Sequence, residues 1–228
     1  MDINIPTISI NPLTNFVGAT DSQKIRIIKE QKKVDTFKAN WYQTVKAELP
    51  KYVKNGFDYS ILENAIKHLR SFDQSTEKRK TNVTNSILAI ETFVHMNFTK
   101  HLPNVDYHFY DKLERKYCQI YGFNVLVSPD VVFSWIDEKD GKKNIGAIKF
   151  HFGKTKELDS LIGRLRSSLI CYFLRKSVVQ PNEFVNPKYC FCVDVFHCKT
   201  YSAPSVINPD ILLLKDACEE INKLWTLS

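Results

Sequence analysis

The chain has 228 residues, 43% of them hydrophobic and 25% charged, with seven glycines, nine prolines and a formal charge of +7. That length suits one large core or a core with an added lobe, and the composition excludes a disordered, collagen-like or repeat-built chain. With no basic leader and no long apolar run, the sequence reads as a cytoplasmic protein with no membrane partner, and its six cysteines as reduced thiols.

Residues 1–20 read as irregular and turn-rich, with Pro6, Asn11-Pro12 and Gly18. Asp21 then caps a short basic helix in SQKIRIIKEQKK. VDTFKANWYQTVKAEL forms a longer helix that Pro50 stops, with Phe37, Trp41, Val45 and Leu49 as its buried stripe. In DYSILENAIKHLRSF, Ser60 and Glu63 have capping-box spacing, and Ile61, Ala65, Ile66 and Leu69 mark the helical period. The charged segment STEKRKTN reads as a linker. Residues 1–80 then form a basic helical N-terminal lobe and residues 81–228 an α+β core. Residues 21–80 carry 14 Lys and Arg against 8 Asp and Glu, an excess that attracts phosphate backbones and equally serves solubility.

VTNSILAIETFVHMNFTKHL is the next helix, closed by Pro103. Ile87, Glu91, Val94 and Phe98 share a stripe on it, which turns the Glu91 carboxylate inward. From about residue 105 the apolar period changes to two. KYCQIYGFNVLVS, PDVVFSWI and NIGAIKFHF read as three successive antiparallel strands, the last two joined by a turn at Asp140-Gly141. KELDSLIGRLRSSLICYFLRK is an amphipathic helix, KYCFCVDVFHCKTYSA a long central strand and LLLKDACEEINKLW a final helix. The order is that of an α+β fold with a mixed sheet flanked by helices.

Asp130 opens a strand, Lys149 lies mid-strand after the hairpin, and Glu91 faces inward, so the three converge at one edge of the sheet. Carboxylates there would hold Mg²⁺ or Mn²⁺ through oxygen, and an amine would steady an attacking water. SPDVVFSW followed by GAIKF resembles the PD-(D/E)xK nuclease-like superfamily, over about residues 83–200. The resemblance implies a restriction-endonuclease-like α-β-β-β-α-β core. It also implies DNA or RNA as substrate or ligand, in repair, restriction or defence against mobile elements. Asp130 and Glu91 would be the metal ligands and Lys149 the residue that positions water. The motif's second acid belongs two residues before the lysine, where this chain has Ala147, and Asp194, Glu114 or His151 are the candidates to replace it. Ser168 and Tyr172 stand where many members of the exonuclease branch have Gln-x-x-x-Tyr.

Lys154, Arg164 and Arg166 follow the lysine strand and are candidates for phosphate contacts, or a solvated helix face. Three readings of function stay open. One is a divalent-metal-dependent nuclease. Another is a degenerate relative that binds nucleic acid or serves as a subunit, in a homo-oligomer or larger complex. A purely structural module is a third. In CFCVDVFHC, Cys190, Cys192 and Cys198 fall on one strand face and His197 on the other, which does not supply tetrahedral ligands, so no zinc is expected.

Overall fold

In the computed structural model, which describes residues 7–32 and 42–227, the first turn-rich stretch is ordered into a short strand, β1 (Thr7–Ser9), and a helix, α1 (Ile10–Val17). This corrects the irregular reading. Leu13 and Phe16 are fully buried and anchor α1 on the core, and Pro12 falls in the first turn, where its missing N–H has no intrahelical partner to lose. Helix α2 (Asp21–Lys32) forms where expected, but Asp21 lies in its first turn and Thr20 takes the cap position: the Thr20 carbonyl accepts the Lys24 N–H at 2.8 Å and the Thr20 N–H donates to Gln23 Oε1 at 3.0 Å. Phe37 and Trp41 lie outside the described residues.

Pro50 does not stop the next helix, α3 (Gln43–Lys54), but sits inside it. The ring removes one backbone donor, and burial of Val45, Leu49 and Val53 on a single face carries the helix past it. Helix α4 (Tyr59–Arg70) is capped by Asp58, whose side chain accepts the Ser60 N–H at 3.0 Å, so the cap lies earlier than the Ser60–Glu63 spacing predicts. The supposed linker is the start of α5 (Glu77–His95), with Thr76 as its N-cap. A 3₁₀ turn, Phe98–His101, follows.

The strands are β2 (His108–Phe109), β3 (Tyr117–Ile120), β4 (Phe123–Leu126), β5 (Val131–Ile136), β6 (Lys143–His151), β7 (Glu183–Asp194) and β8 (Lys199–Ser202). Helix α6 (Ser160–Ser177) joins β6 to β7, and α7 (Asn208–Leu227) ends the described chain. The fold is α+β. KYCQIYGFNVLVS is a hairpin rather than one strand: β3 and β4 turn at Tyr121-Gly122, both with positive φ, and form a separate three-stranded sheet with β1. The stretch read as one long central strand is also bent back, into the antiparallel pair β7 and β8.

The main sheet has the order β2-β5-β6-β7-β8. β5 and β6 are antiparallel across the Asp140-Gly141 region, whereas β6 and β7 are parallel and need the α6 crossover. The sheet is therefore mixed, as expected. One face packs Ile148, Phe150 and Phe191 against Leu49, Leu62, Ile90 and Phe93 of α3–α5. The other packs Ile145, Ala147 and Cys190 against Leu165, Leu169 and Phe173 of α6, with α1, α7 and the small sheet around them. No helix among the described residues is long and apolar enough to cross a membrane.

Candidate functional site at the end of the central strand

The antiparallel register of β5 and β6 pairs Val131 with Ile148, which sets Asp130 beside Lys149. The Asp130 N–H donates to the Ile148 carbonyl at 2.9 Å, and Asp130 Oδ2 accepts the Phe150 N–H at 2.7 Å. Lys149 Nζ stands 3.4 and 3.5 Å from the two carboxylate oxygens and donates to the Ser128 carbonyl at 2.8 Å. Ser128 has φ of 41°, a left-handed conformation unusual for serine, and it directs that carbonyl at the amine. The predicted Asp130–Lys149 pair is thus present.

A cleft of about 220 Å³ is lined by Asp130 and Ser128, the two partners of Lys149. Lys54, Lys112 and Lys116 line it together with Asp111 and Asp130. Lys54 is occupied with the Tyr110 carbonyl at 2.8 Å, while Lys112 and Lys116 are exposed.

Glu91 does not join this group. The buried positions of α5 are Val83, Asn85, Ser86, Ala89, Ile90 and Phe93, with a stripe one residue away from the predicted one, and Glu91 is exposed. The predicted stripe leaned on Phe98, which lies beyond the helix end at His95. Nor does an acid fill the gap at Ala147, which is 0% exposed among apolar side chains. Of the replacement candidates, Glu114 is exposed and makes no contact with Lys149 among the described residues. Asp194 is 0% exposed, and its carboxylate accepts the Leu158 N–H at 2.8 Å and binds His197 Nδ1 at 3.0 Å.

Mg²⁺ or Mn²⁺ at Lys149 would need several oxygen ligands. Among the described residues no three His, Cys, Asp or Glu side chains gather in a way that could hold a metal. Asp130 is already shared between Lys149 and the Phe150 amide. The donor set present does not fit the ion.

The three basic residues assigned to phosphate are all engaged within the protein. Lys154 donates to Asn85 at 2.7 Å. Arg164 holds Asp210 through Nε at 3.1 Å and Nη2 at 3.0 Å, and Ser168 donates to the same carboxylate at 2.6 Å. Arg166, far from lying on a solvated face, is 2% exposed. Its Nε–H donates to Thr14 Oγ1 at 3.1 Å, Nη1 to His151 Nδ1 at 3.0 Å and Nη2 to Asn15 Oδ1 at 3.0 Å. Burial, and next the Arg166 charge, hold the His151 imidazole down to about 4. It is therefore neutral at pH 7 and accepts at Nδ1, leaving its proton on Nε2. Burial pushes the Cys192 thiol, which lies by Arg166 and Lys149, up to about 11.

Thr14 and Asn15 carry no signal in the sequence, because their stretch reads as irregular rather than helical and nothing local says that it covers α6. His151 and Asp194 are register partners at the C-terminal ends of the parallel pair β6 and β7, the end of a sheet where ligands commonly bind. Cys190 and Cys192 are buried in β7, and Cys198 sits in the turn after it, with positive φ, off the strand face assigned to it. No protein-family model matches the chain, and no curated protein matches it.

Proposed function

We propose that the protein holds a nucleic-acid backbone at the Asp130–Lys149 end of the sheet without cutting it, as a phosphate-binding counterpart of the nucleases its sequence resembles. One observation carries this reading: Ser128 and Asp130, the two residues that hold Lys149, line a cleft together with Lys54, Lys112 and Lys116. Clustered lysines on a concave surface bind phosphate by releasing counterions and need no particular base sequence. The basic excess of residues 21–80 adds to the attraction. Hydrolysis through a divalent ion is not assigned, because Ala147 is sealed in the core and Glu91 points to solvent.

The test is a titration of labelled duplex DNA, single-stranded DNA and RNA at two salt concentrations. Affinity should fall as salt rises, and the Lys112→Ala, Lys116→Ala double variant should lower the logarithmic salt slope by about 2. Incubation of the same nucleic acids with Mg²⁺ or Mn²⁺ should leave them intact. Cleavage that Asp130→Ala abolishes would replace binding by the nuclease reading. A flat salt response would remove both.

A further inference from the structure

A second cleft, of about 820 Å³, opens between α1, α2 and the segment leading into α6. Its volume falls in the range of small-molecule sites. Arg166 and His151 line it with Asn15 and Lys156, and Ile27 and Leu161 supply apolar wall. An arginine is rarely buried to 2% exposure unless it is paired with an acid. Here the guanidinium is held by neutral acceptors, Thr14, His151 and Asn15, and no carboxylate among the described residues is within ion-pair reach. Asp194 acts on it only through space, since its oxygens already accept from Leu158 and His197.

The other charges at this cleft are accounted for. Glu30 faces Arg26 at 3.6 Å, Glu157 is bound by Lys199 at 2.5 Å, and Asp159 caps α6 by accepting the Leu161 N–H at 2.8 Å. The donors left are different in kind. Asn15 turns its Oδ1 to Arg166, so its Nδ2 hydrogens point elsewhere and meet no acceptor among the described residues. Lys156 is exposed and likewise bonded to nothing among them. Bonds to Thr14, His151 and Asn15, with the Cys192 thiol as a fourth neutral neighbour, still leave the guanidinium with N–H capacity, because it carries five donors.

We propose that this cleft binds a small organic anion, with its phosphate or carboxylate head on Arg166, Asn15 and Lys156 and its apolar body against Ile27 and Leu161. Arginine suits either head, since its fork matches the paired oxygens of both. His151 serves as a positioning residue that holds the fork through Nδ1. The site is separate from the lysine cleft at Asp130 and does not depend on nucleic-acid binding there.

Isothermal titration with phenyl phosphate, benzoate and phenol tests it. One or both anions should bind saturably and phenol should not, and the tighter anion identifies the head group. Lys156→Gln and Asn15→Leu alter exposed positions and should each weaken the anion about tenfold. Arg166→Lys should abolish binding, with circular dichroism to check its fold. The Lys112→Ala, Lys116→Ala double variant should bind as the wild type does, which separates this site from the other cleft. The proposal is overturned by the absence of saturable binding of either anion up to about 10 mM. Equal affinity for phenol, or affinity unchanged in both Lys156→Gln and Asn15→Leu, overturns it too and leaves Arg166 as a structural tie between α1 and β6.

Discussion

Lys149 reaches from β6 to stand 3.4 Å from the Asp130 carboxylate, which in turn accepts the N–H of Phe150 at 2.7 Å. One acid therefore does two unequal things. Its ion pair is partly open to water, with side chains 19% and 28% exposed, and such a pair contributes about 1 kcal/mol or less. Its bond to the amide satisfies a backbone donor beside Phe150, which is buried, and losing that acceptor costs about 2 kcal/mol.

Asp130→Ala should accordingly destabilise the protein by about 2–3 kcal/mol, against about 1 kcal/mol or less for Lys149→Met. Asp130→Asn should fall between them, because an amide oxygen can still accept from Phe150. Urea denaturation of the three variants is the measurement. A larger loss in Lys149→Met than in Asp130→Ala would contradict this ranking.

The imidazole of His151 gives stability a pH dependence of known sign. Burial first and the Arg166 charge second lower its pKa from 6.5 to about 4, with His197 acting in the same direction and Asp194 against it. Between those values the unfolded chain binds a proton that the folded chain refuses. Stability from this group is complete above about 6.5 and is lost as pH falls, by about 2 kcal/mol at about pH 5. His151→Gln keeps a side-chain acceptor for Arg166 and removes the proton site. Its urea midpoint should therefore change less between neutral pH and about pH 5 than that of the wild type. In NMR, the His151 ring protons should not titrate until pH nears 4.

Local signals in the sequence reach as far as local geometry does. The Asp130–Lys149 pair is legible because a hairpin fixes its register over twenty residues, with Asp140-Gly141 marking the turn. Glu91 misleads for a related reason: Ile87, Glu91, Val94 and Phe98 have helical spacing, yet the helix ends at His95 and its packed face is set by Ile90 and Phe93 against the sheet. Arg166 is illegible in principle. Its neighbours on α6 are mixed, and what buries it is α1, about 150 residues away in sequence. The charged stretch before Val83 reads as a linker because charge normally signals solvent, and solvent is where those residues lie, although on a helix.

Gly146 shows why this strand contains a glycine at its centre. A Cβ there would stand 2.6 Å from the Tyr189 carbonyl oxygen and 2.7 Å from the Phe133 ring. The carbonyl is backbone of the neighbouring strand β7 and cannot swing aside. The β6–β7 register also shifts between Ile145 and Ala147, so the strands are already adjusted to this close approach. Gly146→Ala should cost about 2–4 kcal/mol by overpacking, measured as a fall in the urea midpoint. A loss below about 0.5 kcal/mol would mean that the strands separate more freely than this contact allows.

Ala147→Asp restores the acid that the resemblance expects two residues before the lysine, and the fold opposes it. Ala147 is 0% exposed, shares its face with Ile145 and Cys190, and packs against the leucines of α6. A carboxylate there would be buried with no cation assigned to it, since Lys149 already holds Asp130 and Ser128. Such a group either stays protonated or forces the core open, and single substitutions of this type cost upwards of about 4 kcal/mol. The variant should be recovered poorly folded or with a strongly lowered melting temperature, whereas Ala147→Ser, small and able to bond locally, should be tolerated with a loss of about 1–2 kcal/mol. A well-folded Ala147→Asp that gains Mn²⁺ binding by calorimetry would show instead that this end of the sheet can rearrange into a metal site, and the non-cleaving reading of Lys149 would fall with it.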